Sequence, residues 1–210
     1  SYSSALLTMH DAIVTNGKFE SGQSILIQGA STGVGIMGMQ IGKHLGASLV
    51  IGTSTNTERR AKLTEYGADL ALDSSDPGWV DQVLEATDGK GVDLIIDQIS
   101  GYVANQNMAA TKIHGCIVNV GRLGGEIAEF DFNMHAERRL TYIGTTGRTR
   151  SLEEHAEVFR AAKENLWAAM EAGIFKMPID STFNIAEASS ALERAKQNKH
   201  FGRIMLTLEA

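Results

Sequence analysis

The amino-acid sequence predicts an α/β fold in which helices cover both faces of a six-stranded, doubly wound parallel sheet. Three observations support this prediction. Short apolar, β-branched runs recur without polar alternation, which is typical of strands covered on both faces. These runs alternate with segments whose apolar residues recur at helical spacing, and helical crossovers join parallel strands. The first run, 24–27, leads through a glycine-rich turn directly into a helix. The loops after the strands should therefore meet at one edge of the sheet, where such folds bind ligands.

The glycine-rich turn follows the first predicted strand, Ser24–Ile27. Gly29, Gly33 and Gly35 allow a sharp turn and leave the first helical N–H groups open to a phosphate, which the helix dipole attracts. Only the last glycine of a strict G-x-G-x-x-G fingerprint is in place, so the match alone is weak. Two interpretations stay open at this point: a diphosphate site, or glycines that only shape the turn.

The other elements follow in chain order, each from its own pattern. The remaining predicted strands are 49–53, 69–72, 92–97, 116–120, 140–144 and 202–207. The predicted helices are 3–16, the one after the glycine turn, 58–66, 77–87, 102–111, 151–171 and one that follows 184–187.

Three helix features are predicted in detail. Asp76 is expected to cap a helix that has proline at its first position. Ser151 and Glu154 form the sequence pattern of a capping box. The stripe after that box is expected to face the core; its members are Phe159, Ala162, Leu166 and Met170.

Length, charge and cysteine content limit the possible functions. A chain of 210 residues forms one domain, with two as the upper limit. A net charge of −6 argues against a nucleic-acid or anionic-membrane surface. No stretch approaches the ~20 apolar residues of a membrane span. Cys116 is the single cysteine, which excludes an intrachain disulfide and a four-cysteine zinc lobe and favours a reducing cytoplasm.

The end of the second strand suggests which dinucleotide would bind. An acidic side chain there binds the ribose 2′-hydroxyl of NAD, whereas a 2′-phosphate needs cations and hydroxyls. This chain has only the second kind, namely Ser54, Thr55, Asn56, Arg59 and Arg60. The helix dipole disfavours arginine at the start of a helix, so their position there favours an anionic partner and hence NADP(H). The competing interpretation is that both arginines are simply solvated.

Five motifs occur together in a specific order. They are Gln28-Gly-Ala-Ser-Thr-Gly-Val-Gly35, Tyr66-Gly-Ala-Asp69, Gly89-Lys-Gly-Val-Asp-Leu-Ile-Ile-Asp97, Val118-Asn-Val-Gly121 and Lys199-His-Phe-Gly-Arg-Ile-Met-Leu206. With them the chain resembles the medium-chain dehydrogenase/reductase superfamily, and within it the zinc-free quinone oxidoreductase and enone reductase branch. The resemblance implies a Rossmann fold with strand order 3-2-1-4-5-6.

The resemblance also has implications for domain organisation. Family members carry an N-terminal substrate domain with a GroES-like β fold. Residues 1–210 are expected to form the single dinucleotide-binding domain, in which a connecting helix (1–20) and a return strand (203–210) adjoin that absent domain.

The resemblance implies a set of cofactor-binding residues. Diphosphate is expected at Ser31, Thr32, Gly33 and Val34, the 2′-phosphate at Ser54, Asn56 and Arg59, and Arg203 near the phosphates. Ser74 stands where the family often has a tyrosine that packs on the 2′-phosphate ribose, and this difference weakens the NADP assignment. Ile99, in the loop after the fourth strand, is also expected to bind the cofactor. The nicotinamide is expected along Gly121 and Arg122, with Gly144, Thr145 and Thr146 at its carboxamide and Thr8 near the ring.

The implied activity is NADPH-dependent hydride transfer to a quinone or to the activated C=C bond of an α,β-unsaturated carbonyl. No residue of the chain is assigned as a catalytic acid, base or metal ligand. The six histidines are scattered, and Asp97 is interpreted as a structural carboxylate at a strand end.

Other functions are weighed against this one. A zinc-type alcohol dehydrogenase is disfavoured because Ser4 stands where such relatives carry a metal-ligand cysteine. A short-chain reductase is excluded because no tyrosine has a lysine four residues later. A non-catalytic dinucleotide-binding module stays open, since half of the substrate cleft would be missing. We also expect a homodimer that pairs the sheet edge Leu140–Gly144.

Overall fold

Six parallel strands form the central sheet in the order β3-β2-β1-β4-β5-β6, as predicted. The computed structural model describes residues 3–197 and 199–208. The strands are β1 (Ser24–Ile27), β2 (Leu49–Thr53), β3 (Leu70–Leu72), β4 (Val92–Asp97), β5 (Thr111–Asn119) and β6 (Thr141–Gly144). Every residue of β1 is buried, because β2 and β4 pair with its two edges and helices pack on both faces of the sheet. The doubly wound prediction is therefore confirmed.

Helices cover both faces of this sheet. They are α1 (Ser3–His10), which continues as a π-helix (Asp11–Asn16), α2 (Gly33–His44), α3 (Thr57–Ala61), α4 (Trp79–Ala86), α5 (Ala104–Ala110), α6 (Phe132–Arg138), α7 (Leu152–Glu171) and α8 (Ala188–Lys196). Short 3₁₀ turns lie at Leu63–Tyr66, Gly101–Val103 and Ile185–Glu187. No helix among the described residues has both the length and the apolar character that crossing a membrane would require.

Two apolar clusters show how the layers pack. One includes Met9 of α1, Ile36 of α2 and Leu166 of α7. The other includes Trp79 of α4 and Met108 of α5. Each cluster also contains residues of β1, whose side chains alternate between the two faces. The sheet is thus the middle of three layers, and its ligand-binding edge is left to the loops.

A second, two-stranded parallel sheet lies outside the main one. It pairs β7 (Ile179–Asn184) with β8 (Arg203–Thr207). The sequence analysis predicted β8 but missed β7, because β7 is half-exposed and mostly polar and lacks a buried-strand pattern. It also missed α6. Ser1 and Tyr2 of the predicted connecting helix and Glu209 and Ala210 of the return strand lie outside the described residues.

Two detailed predictions about helices were wrong, and one was right. Asp76 does not cap α4, which begins three residues later, at Trp79; the carboxylate instead accepts from the Gly78 amide at 2.9 Å. Phe159 is 51% exposed, because only part of the α7 stripe reaches the sheet. The capping box of Ser151 and Glu154 is present as predicted.

Candidate functional site

The loops after the strands form a groove at the carboxyl edge of the sheet. We call this groove the adenosine groove. Its volume is about 170 Å³. Its lining comes from the loops after β1, β2, β3, β4 and β5 and consists of Gly29, Ser31, Thr32, Thr53, Ser54, Thr55, Arg59, Ser74, Ile99, Tyr102, Leu123 and Gly124. Within the described residues, these lining side chains carry one cation and no carboxylate.

The glycine-rich turn has no room for side chains where its glycines stand. Gly29 has a φ of +70°, a conformation that L-residues rarely adopt. A Cβ on Gly35 would lie 2.6 Å from Ala30 Cα, so the helix packs directly against the turn. Thr32 caps α2, because its Oγ1 accepts from the Gly35 amide at 2.9 Å. The N-terminal end of α2 is therefore fixed beside the adenosine groove.

Buried amide side chains tie this turn to the neighbouring strands. Thr53 Oγ1 donates to Gln28 Oε1 at 2.6 Å and accepts from the Gly29 amide at 3.1 Å. Gln98 donates from Nε2 to the Gln28 carbonyl at 3.0 Å and accepts from Thr32 Oγ1 at 2.9 Å. Buried polar groups of this kind hold a unique geometry only when they are paired. The sequence analysis did not assign Gln28, Thr53 or Gln98 a role.

Arg203 of β8 reaches back to the glycine-rich turn. A Cβ on Gly33 would lie 3.0 Å from Arg203 Nε, so the glycine makes room for the guanidinium. Arg203 Nε is buried and has no hydrogen-bond partner among the described residues. A buried donor without a partner is costly, and a phosphate oxygen would satisfy it. This local chemistry fits a diphosphate.

The two arginines after β2 have different surroundings. Arg60 donates from Nη1 to Asp73 Oδ2 at 2.8 Å and to the Ser54 carbonyl at 2.9 Å. Arg59 lines the adenosine groove, and its Nη1 donates to the His200 carbonyl at 3.4 Å. Arg60 is thus committed to a carboxylate, and Arg59 is the cation that borders the groove.

Two more predicted residues lie at the end of β2. Ser54 Oγ donates to Ser31 Oγ at 3.1 Å, which links the β2 loop to the glycine-rich turn. The side chain of Asn56 accepts from the Arg59 amide at 2.9 Å and so caps α3.

Asp97 ends β4 as a fully buried carboxylate. Its Oδ1 accepts from the amides of Ile99 and Ser100 at 2.8 and 2.9 Å. Burial raises the pKa of Asp97 above its usual value, although these hydrogen bonds oppose the shift. Ser100 is held at a φ of 56° and donates to the Gly121 carbonyl at 2.7 Å. Asp97 therefore shapes the loop after β4, whose Ile99 lines the adenosine groove.

A larger groove of about 930 Å³ lies at the ends of β5 and β6, and we call it the acceptor groove. It is lined by Ser4, Leu7, Thr8, Asp11, Val120, Arg122, Thr145, Thr146, Gly147, Arg148, Arg150, His155 and Val158. Asp11 Oδ2 accepts from Arg150 Nη2 at 2.7 Å and from Thr145 Oγ1 at 3.3 Å. This pairing fixes the loop after β6 against the π-helix.

The comparison with protein families identifies the fold family. Residues 33–164 match the family model described as zinc-binding dehydrogenase, which is more than half of the chain. The chain belongs to this family. This family model describes the dinucleotide-binding half of proteins of the medium-chain dehydrogenase/reductase superfamily. The members of that superfamily are oxidoreductases.

Individual relatives agree with this assignment. The reducing polyketide synthase rdc5 of Metacordyceps chlamydosporia is 25% identical over 210 residues, which covers 97% of this chain and 9% of the synthase. A probable oxidoreductase from Mycobacterium abscessus has a TM-score of 0.84 at 25% identity, over 98% of this chain and 61% of that one.

A third similarity shows the fold alone. The mycobacterial protein Rv1454c, whose structure was solved with NADPH, has a TM-score of 0.84 at 22% identity, over 98% of this chain and 63% of that one. The chain thus spans less than a tenth of the synthase and about three fifths of the two solved proteins.

The family description raises the question of zinc. Within residues 3–197 and 199–208, no three His, Cys, Asp or Glu side chains lie close enough together to hold a metal ion. The residues that the structure describes therefore do not fit a zinc centre.

Most of the predicted cofactor residues lie along one or the other of the two grooves. Ser31, Thr32, Ser54, Arg59, Ser74 and Ile99 line the adenosine groove. Thr8, Arg122, Thr145 and Thr146 line the acceptor groove. Gly33 lies against Arg203 behind the turn. Val34, Asn56, Gly121 and Gly144 line neither groove.

Among the residues that border the two grooves, sequence reasoning missed two pairs in particular. Tyr102 and Leu123 line the adenosine groove, and Asp11 and Arg150 pair in the acceptor groove. The weak apolar pattern after β4 gave no signal for Tyr102. Asp11 and Arg150 are too far apart in the chain for any spacing rule to connect them.

Proposed function

We propose that this chain binds NADP(H) and forms the cofactor-binding half of an oxidoreductase that reduces a quinone or an activated C=C bond. The observation that carries the proposal is the buried, unpartnered Nε of Arg203 against Gly33, beside the capped end of α2. These groups would hold the diphosphate, together with Ser31 and Thr32. The cofactor, when bound, supplies a hydride.

The preference for NADP(H) over NAD(H) rests on the charges near the end of β2. Arg59, Ser54 and Ser74 border the adenosine groove and would hold the 2′-phosphate. Asp73, which follows β3, does not line the groove, and it accepts from Arg60 and from the side chain of Ser75. It is therefore not free to accept from the 2′-hydroxyl of NAD.

The acceptor groove supports the second half of the proposal. Thr8, Arg122, Thr145 and Thr146 would orient the nicotinamide. Asp11 and Arg150 keep the loop of Thr145 in one position, so the reacting face of the ring would be fixed. Residues 1–20 and 203–210 would adjoin a substrate domain that completes the cleft.

Two measurements test the proposal. Calorimetric titration with NADPH and NADH should give tighter binding of NADPH, and no heat with either dinucleotide would refute the cofactor assignment. NADPH oxidation is then followed at 340 nm with a quinone and with an enone, for this chain and for a version extended upstream. Binding without turnover in both versions would favour the non-catalytic module.

The proposed assembly is a cytoplasmic homodimer through β6. This strand is at the edge of the sheet, and Thr141 and Gly144 are exposed. An open edge can pair with its twin across a two-fold axis. Light scattering that gives the monomer mass at micromolar concentration would contradict the dimer.

A further inference from the structure

The acceptor groove is lined by more positive than negative side chains, although the chain as a whole is acidic. Within the described residues, its lining includes three arginines, Arg122, Arg148 and Arg150, and the imidazole of His155, whereas its single carboxylate is Asp11. The chain as a whole has a formal charge of −6. A local excess of positive charge in an acidic protein attracts anions to that place.

The three arginines are not equivalent. Arg150 is neutralised by Asp11, at 2.7 Å. The guanidinium groups of Arg122 and Arg148 make no hydrogen bond or ion pair with any residue that the structure describes. Two uncompensated charges therefore face the same cavity.

Other carboxylates nearby do not cancel these charges. Glu154 and Glu157 line an adjoining cavity that shares Asp11 and Arg150 with the acceptor groove. Glu154 accepts from the amide of Ser151 at 2.6 Å, which holds it at the start of α7. Neither glutamate lines the groove that contains Arg122 and Arg148.

The cavity is also larger than the adenosine groove, at about 930 Å³ against 170 Å³. Arg148 is exposed and lies beyond Thr146 in the loop after β6. It is thus available to a second molecule in the groove, whereas Arg122 is one of the residues proposed above to lie along the nicotinamide.

From this arrangement we infer that the acceptor molecule carries a negative group, a carboxylate or a phosphate, and that Arg148 binds it. The inference rests on the proposed function and adds the charge of the substrate to it. Arg148 is then a specificity residue: it distinguishes an anionic acceptor from a neutral one of the same shape. A guanidinium suits either anion because its fork donates two parallel hydrogen bonds.

The test uses two probes that differ in charge and in one methyl group. trans-4-Oxopent-2-enoate and its methyl ester share one activated C=C bond. Each is titrated calorimetrically into the chain saturated with NADP⁺, so that binding is measured without turnover. We expect the carboxylate to bind about tenfold more tightly than the ester, since a charge-assisted hydrogen bond accounts for a difference of that order.

Variants assign the effect to one residue. Arg148→Gln should abolish the preference for the carboxylate and leave the ester unchanged, and Arg148→Lys should keep part of it. Arg160→Gln is the matched control, because Arg160 is an exposed arginine of α7 that lines neither groove. Melting temperatures of all variants check that each one is folded.

Inorganic phosphate, added as a competitor, identifies the preferred anion. Displacement of the carboxylate by phosphate in the wild type but not in Arg148→Gln would support the inference for a phosphate-bearing acceptor. Equal affinity for the carboxylate and the ester, or a preference that survives Arg148→Gln, would overturn it. Failure of NADP⁺ to bind in the preliminary titration is a separate result, which would overturn the proposed function instead.

Discussion

Arg150 donates from Nη2 to Oδ2 of Asp11 across 2.7 Å, although 139 residues separate them in the sequence. The Asp11 side chain is 5% exposed and that of Arg150 is 20% exposed. Thr145, between β6 and Arg150, bonds to the same carboxylate oxygen. The pair therefore joins the π-helix, the loop after β6 and the start of α7, and it forms one wall of the acceptor groove.

Asp11→Asn should destabilise the fold by about 3 kcal/mol, because it leaves Arg150 as a charge without its partner in a mostly buried place. Urea denaturation followed by circular dichroism measures this loss. The matched control is Lys43→Gln, which breaks the exposed pair of Lys43 and Asp69 and should cost at most about 1 kcal/mol. Equal losses in the two variants would mean that burial of the Asp11 pair has no energetic consequence.

Arg59→Ala should weaken the binding of NADPH by about 1.5 to 3 kcal/mol and leave the binding of NADH nearly unchanged, since only NADPH offers a 2′-phosphate to this side chain. Calorimetric titration with both dinucleotides measures the ratio. Arg60→Gln is the neighbouring control: Arg60 is engaged by Asp73, so its loss should lower stability without altering the ratio. A parallel loss of both cofactors in Arg59→Ala would contradict the 2′-phosphate assignment.

Gly33→Val should weaken the binding of both dinucleotides, because the valine side chain would displace Arg203 and crowd the diphosphate. The melting temperature should change little, since the displaced atoms are the end of a flexible side chain. Gly35→Val provides the contrast. Its Cβ would meet the backbone of Ala30 at 2.6 Å, so this variant should lose about 1 to 3 kcal/mol of stability or fail to fold. A large drop in melting temperature for Gly33→Val would show that Gly33 serves packing instead.

The parallel sheet and the edge that carries the grooves could be predicted from local sequence patterns, whereas the strand order followed from the resemblance to the superfamily. Buried β-branched runs and helical stripes are properties of short segments, and topology rules for crossovers do the rest. The same reasoning missed β7, whose run Ile179–Asn184 is mostly polar and pairs with β8. An exposed two-stranded sheet leaves no buried-strand signature to detect.

The candidate site was only partly accessible to sequence reasoning. The residue pattern alone treated Arg59 and Arg60 as equivalent cations after β2, and only the resemblance assigned Arg59 to the 2′-phosphate. The structure separates them because β3 runs beside β2 and brings Asp73 to Arg60. The pair of Asp11 and Arg150 and the contact of Arg203 with Gly33 depend on tertiary packing as well. No spacing rule connects residues on such distant elements.

The small sheet offers a test that depends on pH. Asp180 of β7 accepts from Arg194 Nε at 2.6 Å and from the Phe201 amide at 3.2 Å. The hydrogen bond from Arg194 lowers the pKa of Asp180 from 3.8 to about 2, in spite of partial desolvation. Because the folded-state pKa lies below the unfolded one, the contribution to stability is complete above about pH 4 and is lost as the pH falls towards 2.

Asp180→Asn should therefore be less stable than the wild type at pH 6, and the difference should shrink between pH 4 and pH 2. Urea denaturation at a series of pH values measures this difference, and subtracting the two curves removes the carboxylates that both proteins share. Arg194→Gln should reproduce the effect, because it removes the donor that lowers the pKa. NMR titration of the Asp180 carboxyl carbon gives the folded-state pKa directly. A midpoint near 4 in the wild type would show that Arg194 does not stabilise the ionised form, and the link between β7 and α8 would then have to rest on packing alone.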